Sequence, residues 1–176
     1  MRPTPPLNLQ HWIEAHRHAL VPPVANRQVF PAGDFIIMIV GGPNARADFH
    51  VDPGAEFFYQ LEGTLTLRTI EDGRPLDYAI GPGEVFLLPP GVPHSPQRPA
   101  GSIGLVVERH RGATELDGFQ WYCQACHALL YQESFVLGDI ETQFPAVFER
   151  FYADAARRRC RACGTLFEPP ATPRPA

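Results

Sequence analysis

Residues 50–63 read His-Val-Asp-Pro-Gly-Ala-Glu-Phe-Phe-Tyr-Gln-Leu-Glu-Gly, and residues 83–94 read Gly-Glu-Val-Phe-Leu-Leu-Pro-Pro-Gly-Val-Pro-His. The first has the spacing H-x-D-x3-E-x6-G and the second G-x5-P-x-G-x2-H. Glu56 opens a strand-like run, and Gly91 permits a turn that carries His94 back toward His50 and Glu56. Outward from this pair the texture repeats. Strand-like runs at 34–40, 56–61, 64–70, 75–80, 84–88 and 103–109 alternate with turn clusters such as Gly41-Gly42-Pro43-Asn44, Gly81-Pro82-Gly83 and Pro89-Pro90-Gly91. Asp72-Gly73 signals a tight hairpin. Many short strands at this spacing predict an antiparallel sandwich or barrel.

The flanks differ. Residues 8–20 predict a short helix, capped by Asn8, with Trp12, Ile13, His16 and Leu20 near a 3.6 period. Beyond Arg111, Phe119–Cys126 leads to a further strand at 129–137 and a helix over 144–159. That helix carries Phe144, Val147, Phe148 and Phe151 on one face, and Arg157, Arg158 and Arg159 complement its C-terminal dipole. We expect a barrel over 1–114, a cysteine-bearing region over 115–168 and a flexible tail over 169–176. The chain has 176 residues, which suits one domain with an appendage. A net charge of −4 disfavours non-specific binding of nucleic acid or anionic membrane. The longest apolar run, residues 35–40, is too short to span a bilayer. The N-terminal residues have no apolar core of a secretory signal, so a cytoplasmic location is expected.

The four cysteines form two C-x-x-C pairs, Cys123/Cys126 and Cys160/Cys163. Without an export signal they do not read as disulfides. Two paired loops of thiolates suit a tetrahedral ion, and the chemistry leaves Zn and Fe both open. Cys123-Gln-Ala-Cys126-His127 also matches a c-type haem attachment pattern, but haem would leave the second pair unexplained. With no open coordination position, the site is expected to be structural.

The two motifs together resemble those of the cupin superfamily. The fold this implies is mainly β: a jelly-roll-like antiparallel barrel with a short N-terminal helix and a small metal-stapled C-terminal extension. His50, Glu56 and His94 would form the two-histidine, one-carboxylate triad that suits non-haem Fe(II) and leaves positions open. The chain departs from the general pattern twice. Asp52 stands where many cupins have another histidine, and is read as a turn residue or a support for the ligands. Arg98 stands where Asn is frequent, and places a cation near the metal.

More specific runs extend the resemblance. Pro22-Pro-Val-Ala-Asn-Arg-Gln, Glu56-Phe-Phe-Tyr-Gln-Leu, Phe86-Leu-Leu-Pro-Pro, His94-Ser-Pro-Gln-Arg-Pro and Val107-Glu-Arg resemble the 3-hydroxyanthranilate 3,4-dioxygenase family over about residues 8–165. The cysteine pairs resemble the rubredoxin-like site of its bacterial form. The resemblance implies ring opening of 3-hydroxyanthranilate by O₂ to 2-amino-3-carboxymuconate semialdehyde, on tryptophan catabolism toward quinolinate and NAD. It implies catalytic Fe(II) on His50, Glu56 and His94, a second Fe or Zn on the cysteines, and a homodimer. Arg46 and Arg98 would hold the substrate carboxylate, Glu108 would face the amine and hydroxyl, and Asn26 would approach the pocket. Alternatives are a non-catalytic cupin sensor of an aromatic acid and a Zn- or Mn-dependent cupin isomerase.

Overall fold

The computed structural model describes residues 4–22, 25–138 and 140–168. The expected tail, 169–176, lies outside them. Helix α1 spans Leu9–His16, and the side chain of Asn8 accepts from the backbone N–H of His11, which removes one orphan donor of the first turn. A 3-10 turn, Arg17–Ala19, follows. Ile13 and Leu20 are buried against Val29, Ile39 and Ile103.

The strands are β1 (Asn26–Gln28), β2 (Phe35–Gly41), β3 (Phe49–Val51), β4 (Glu56–Glu62), β5 (Leu65–Glu71), β6 (Arg74–Ile80), β7 (Val85–Leu88), β8 (His94–Gln97), β9 (Ile103–Arg109), β10 (Asp117–Tyr122) and β11 (Leu129–Phe135). They form two antiparallel sheets, ordered β1-β2-β9-β4-β7 and β11-β10-β3-β8-β5-β6. This is the mainly β, jelly-roll-like architecture expected. Period-two alternation builds the core. Phe58 and Val106 from one sheet meet Leu65, Leu67 and Ile80 from the other. Asp72 and Gly73 both have positive φ, 49° and 74°, the backbone of a type I′ hairpin.

After β9 the chain crosses between sheets. β10 pairs with β3, setting Phe119 opposite His50, and β11 extends the same sheet. Helix α2 (Ile140–Tyr152) packs on it, placing Val147 and Phe151 against Phe119, Trp121 and Phe167. The helix expected over 144–159 is in fact two, because the chain breaks after Tyr152 and Asp154 caps a separate short helix, α3 (Ala155–Arg158). No helix among the described residues is long and apolar enough to cross a membrane.

Candidate active site

Both motif histidines lie on the six-stranded sheet. His50 on β3 is directly opposite His94 on β8, with ring centroids 5.3 Å apart. Glu56 enters from the other sheet as the first residue of β4. Its Oε1 lies 2.9 Å from Nε2 of His94 and 3.7 Å from Nδ1 of His50. The two motif loops are tied together, since Gly91 N donates to Asp52 O at 2.8 Å. Gly91 has φ of 76° there, a conformation that strains any residue with a Cβ.

The outward nitrogens fix the tautomers. His50 Nε2 bonds Asp117 Oδ1 at 2.8 Å, and His94 Nδ1 bonds Val92 O at 3.0 Å. These oxygens accept, so in each neutral ring the proton sits on that outward nitrogen. The lone pairs of His50 Nδ1 and His94 Nε2 then face Glu56, the arrangement of supported metal ligands. Glu56 Oε1 is buried and accepts no well-formed hydrogen bond. A buried, unpaired carboxylate oxygen beside two lone pairs calls for a cation, and the donor set fits a divalent metal. Burial opposes charge on His50, but the carboxylates of Asp117 and Glu56 on either side outweigh it and raise the ring to about 9, so a metal would have to displace a proton to reach the Nδ1 lone pair. Burial alone would raise Glu56, yet the two imidazoles hold it well below the usual carboxylate range.

Asp52 does the work of a turn residue. Its Oδ1 accepts from Gly54 N at 2.6 Å, and its Oδ2 accepts from Arg111 Nη2 at 2.7 Å. Glu108 on β9 stands opposite Glu56. Burial, with the neighbouring charge of Glu56, pushes its carboxyl up to about 7. Its Oε1 lies 3.0 Å from Arg111 Nη1.

Arg98 follows β8 and is 4% exposed. Its Nη1 donates to Gln60 Oε1 at 3.1 Å, and its Nε has no partner. Among the described residues no carboxylate lies within ion-pair distance of it. Gly104 makes room for this pair, because a Cβ there would sit 2.7 Å from Gln60 Oε1 and 2.8 Å from Arg98 Nη1. Arg46 is placed differently. Its guanidinium is paired with Asp48 at 2.5 Å and lies 5.9 Å from the ring of Phe119, which itself neighbours His50. Asn26 is exposed on β1, opposite Val40, and is not drawn into the cluster.

Three residues escaped the motif reading. Gln60 had a legible signal, an amide at an inward position of an apolar strand. Arg111 and Asp117 had none, because they lie in the poorly patterned connection between β9 and β10.

The cysteines converge as expected. Cys123 Sγ is 3.6 Å from Cys163 Sγ, Cys126 Sγ is 3.5 Å from Cys160 Sγ, and all four fit within 4.8 Å. Each pair is built on the same backbone loop. Cys123 N donates to Ala128 O and His127 N to Cys123 O; Cys160 N donates to Thr165 O and Gly164 N to Cys160 O. His127 and Gly164 occupy equivalent places with φ of 60° and 79°. Cys126 and Cys163 are exposed, so one side of this site faces solvent.

A family model described as 3-hydroxyanthranilic acid dioxygenase matches residues 1–152. A protein named 3-hydroxyanthranilate 3,4-dioxygenase from Xanthomonas euvesicatoria pv. vesicatoria is 57% identical over 166 residues, covering 94% of both chains. One of the same name from Paraburkholderia phytofirmans is 51% identical, covering 90% of this chain and 92% of its own. Among solved structures, a cupin-2 domain containing protein from Shewanella frigidimarina aligns over 60% of this chain and 94% of its own, at 19% identity and a TM-score of 0.45.

Proposed function

The chain belongs to the 3-hydroxyanthranilic acid dioxygenase family, and from that premise we propose that it opens the ring of 3-hydroxyanthranilate with O₂, giving 2-amino-3-carboxymuconate semialdehyde. His50 Nδ1, Glu56 Oε1 and His94 Nε2 would hold Fe(II). When bound, Fe(II) supplies the redox coupling between an electron-rich ring and O₂ that protein side chains lack.

The observation that carries this reading is Arg98. A guanidinium buried without a carboxylate is costly, and its planar fork matches the carboxylate of an aromatic acid. Arg46 is already paired with Asp48, so Arg98 takes the larger share of the clamp. Glu108, held at about 7, suits a general base near neutral pH and would take the substrate hydroxyl proton. Asn26 would join the pocket only from its rim. The cysteine site would take one Fe or Zn as a staple, in the reducing cytoplasm that keeps thiols free.

The outer face of the five-stranded sheet supports a homodimer. Ile37, Val107, Phe57 and Leu87 form one cross-strand row. Phe35, Val85 and Leu87 on that face are 57%, 60% and 65% exposed, and an apolar patch of this kind marks an interface. Leu87→Glu should yield monomers by light scattering.

The function is tested by anaerobic Fe(II) reconstitution followed by oxygen uptake. One O₂ should be consumed per 3-hydroxyanthranilate. Binding of the acid without oxygen uptake, by protein with its triad loaded, would favour a sensor instead.

A further inference from the structure

Arg111 lies on the connection between β9 and β10, where the chain passes from one sheet to the other. Its guanidinium meets three carboxylates that come from different parts of the fold. Nη1 is 3.0 Å from Glu108 Oε1 on the five-stranded sheet, a buried ion pair that lacks hydrogen-bond alignment. Nη2 is 2.7 Å from Asp52 Oδ2 in the motif loop before β4. Nε and Nη2 are each 3.0 Å from Asp117, at the start of β10 on the six-stranded sheet. Asp117 is fully buried and accepts from Nε2 of His50. The groups that face Arg111 therefore form a chain, Glu108–Arg111–Asp117–His50, which runs from the proposed base to a metal ligand.

We propose that Arg111 is a positioning residue that holds Glu108 and, through Asp117, the ring of His50 in one register. This rests on the proposed function only for the roles of Glu108 and His50. Geometry favours a yoke over three separate ion pairs. A guanidinium is rigid and planar, so Nη1 cannot move with Glu108 without moving the Nε/Nη2 edge that Asp117 reads. Lysine would keep the charge and lose this linkage, because an ammonium is a point charge with rotatable donors. Partners behind a metal ligand commonly influence metal affinity or activity by about 10–100-fold.

The test uses Arg111→Lys, Asp117→Asn, the double variant, and Arg109→Gln as a control. Arg109 pairs with Glu115 at the surface and does not touch the chain of contacts. Three readouts are taken on full-length protein: the His50 Nε2–H proton resonance with Zn(II) bound, the dissociation constant for Zn(II) at the triad, and steady-state kinetics after Fe(II) loading. Arg111→Lys should move the His50 resonance, although residue 111 does not touch that ring. It should lower kcat by about 10–100-fold, with a smaller change in KM. Asp117→Asn should do the same from the other end. The double variant should lose little more than the worse single variant, since coupled sites are non-additive. Arg109→Gln should leave all three readouts unchanged.

An unmoved His50 resonance in Arg111→Lys, or losses that multiply in the double variant, overturns the proposal. If Arg111→Lys does not fold, an unmoved resonance and normal kcat in Asp117→Asn overturn it equally. Failure of the parent protein to consume O₂ would instead count against the proposed function, and would leave the His50 resonance and Zn(II) affinity as tests of the yoke.

Discussion

Substituting Arg98 by methionine should separate stability from function, and in opposite directions. Burial pushes this guanidinium from the ordinary arginine range down to about 10. At about 1.36 kcal/mol per pH unit, the charge is destabilised in the folded chain by about 3 kcal/mol. Folded and unfolded chains both carry the charge at neutral pH, so the whole cost is felt there and vanishes only above the ordinary arginine range. Methionine keeps much of the apolar stem and removes the charge. It also leaves Gln60 Oε1 without its donor, a loss of about 1–3 kcal/mol. The net expectation is a fold at least as stable as the parent, by about 0–2 kcal/mol. For a chain of this size that is a rise in Tm of up to roughly 4–8 °C. Substrate binding should move the other way. Loss of a buried charge partner costs about 2–5 kcal/mol, or roughly thirty- to several-thousand-fold in affinity. Thermal denaturation and steady-state kinetics on 3-hydroxyanthranilate and 2-aminophenol read both quantities. The second substrate lacks the carboxylate and should lose little further. A marked fall in Tm, or equal kinetic losses on the two substrates, would show that Arg98 is structural and that the clamp assignment is wrong.

Gly104→Ala should perturb the same clamp without touching its charge. The new Cβ would displace the buried ends of Gln60 and Arg98, so KM for 3-hydroxyanthranilate should rise about tenfold, with circular dichroism near the parent and Tm lower by the few degrees that a strained Gln60–Arg98 hydrogen bond costs. Retained ring cleavage by an iron-free, purified His94→Ala protein would refute the triad; loss of one metal per chain, with the cysteine-bound ion kept, is expected. Cys160→Ser should remove the other ion and lower Tm, because a structural metal contributes folding free energy. Its folded fraction should still consume O₂ once the triad is loaded, and full iron with no turnover would give the cysteine site a part in the chemistry.

The long strands were legible as apolar or roughly alternating runs bounded by turn residues, as Phe35–Gly41 is before Gly42-Pro43 and as Leu65–Glu71 and Arg74–Ile80 are around Asp72-Gly73. The strands that carry the histidines were not. β3 and β8 are three and four residues long, too short for a period to register, and they exist because each pairs with a neighbour distant in sequence. His50 and His94 were found from spacing, a local signal, and the fold then placed them opposite each other. Arg111 and Asp117 show the limit of that method. Their importance lies in the crossing from one sheet to the other, which no local pattern encodes. The pairing of Arg46 with Asp48 is similar: the two residues are two apart in the sequence, but only the fold shows that the guanidinium is already occupied.

Charge balance explains why, among the four buried carboxylates around Arg111 and the histidine pair, Glu108 is the one suited to accept a proton. Asp52, Glu56, Glu108 and Asp117 are each at most 8% exposed. Asp117 is held by His50 and Arg111, and Asp52 by Arg111 and the backbone of Gly54. Both are acceptors with their donors in place, and for Asp117, despite its burial, His50 and Arg111 hold the carboxyl below its ordinary range. Glu56 is held ionised by two imidazoles, and in the proposed site a divalent cation would hold it more firmly. Glu108 shares one edge of Arg111 and faces the negative charge of Glu56, so the balance leaves it at about 7. With a dication bound, its charge and one guanidinium against four carboxylates would leave a single negative charge in excess. In the proposed clamp the substrate's own carboxylate would not add to it, because Arg98 would supply the matching cation. If Glu108 takes the hydroxyl proton as proposed, that excess charge would move from an apolar strand to the substrate oxygen, nearer the cation. Proton transfer in this direction would relieve the one poorly solvated charge of the proposed site, and no other carboxylate in the cluster would offer that gain.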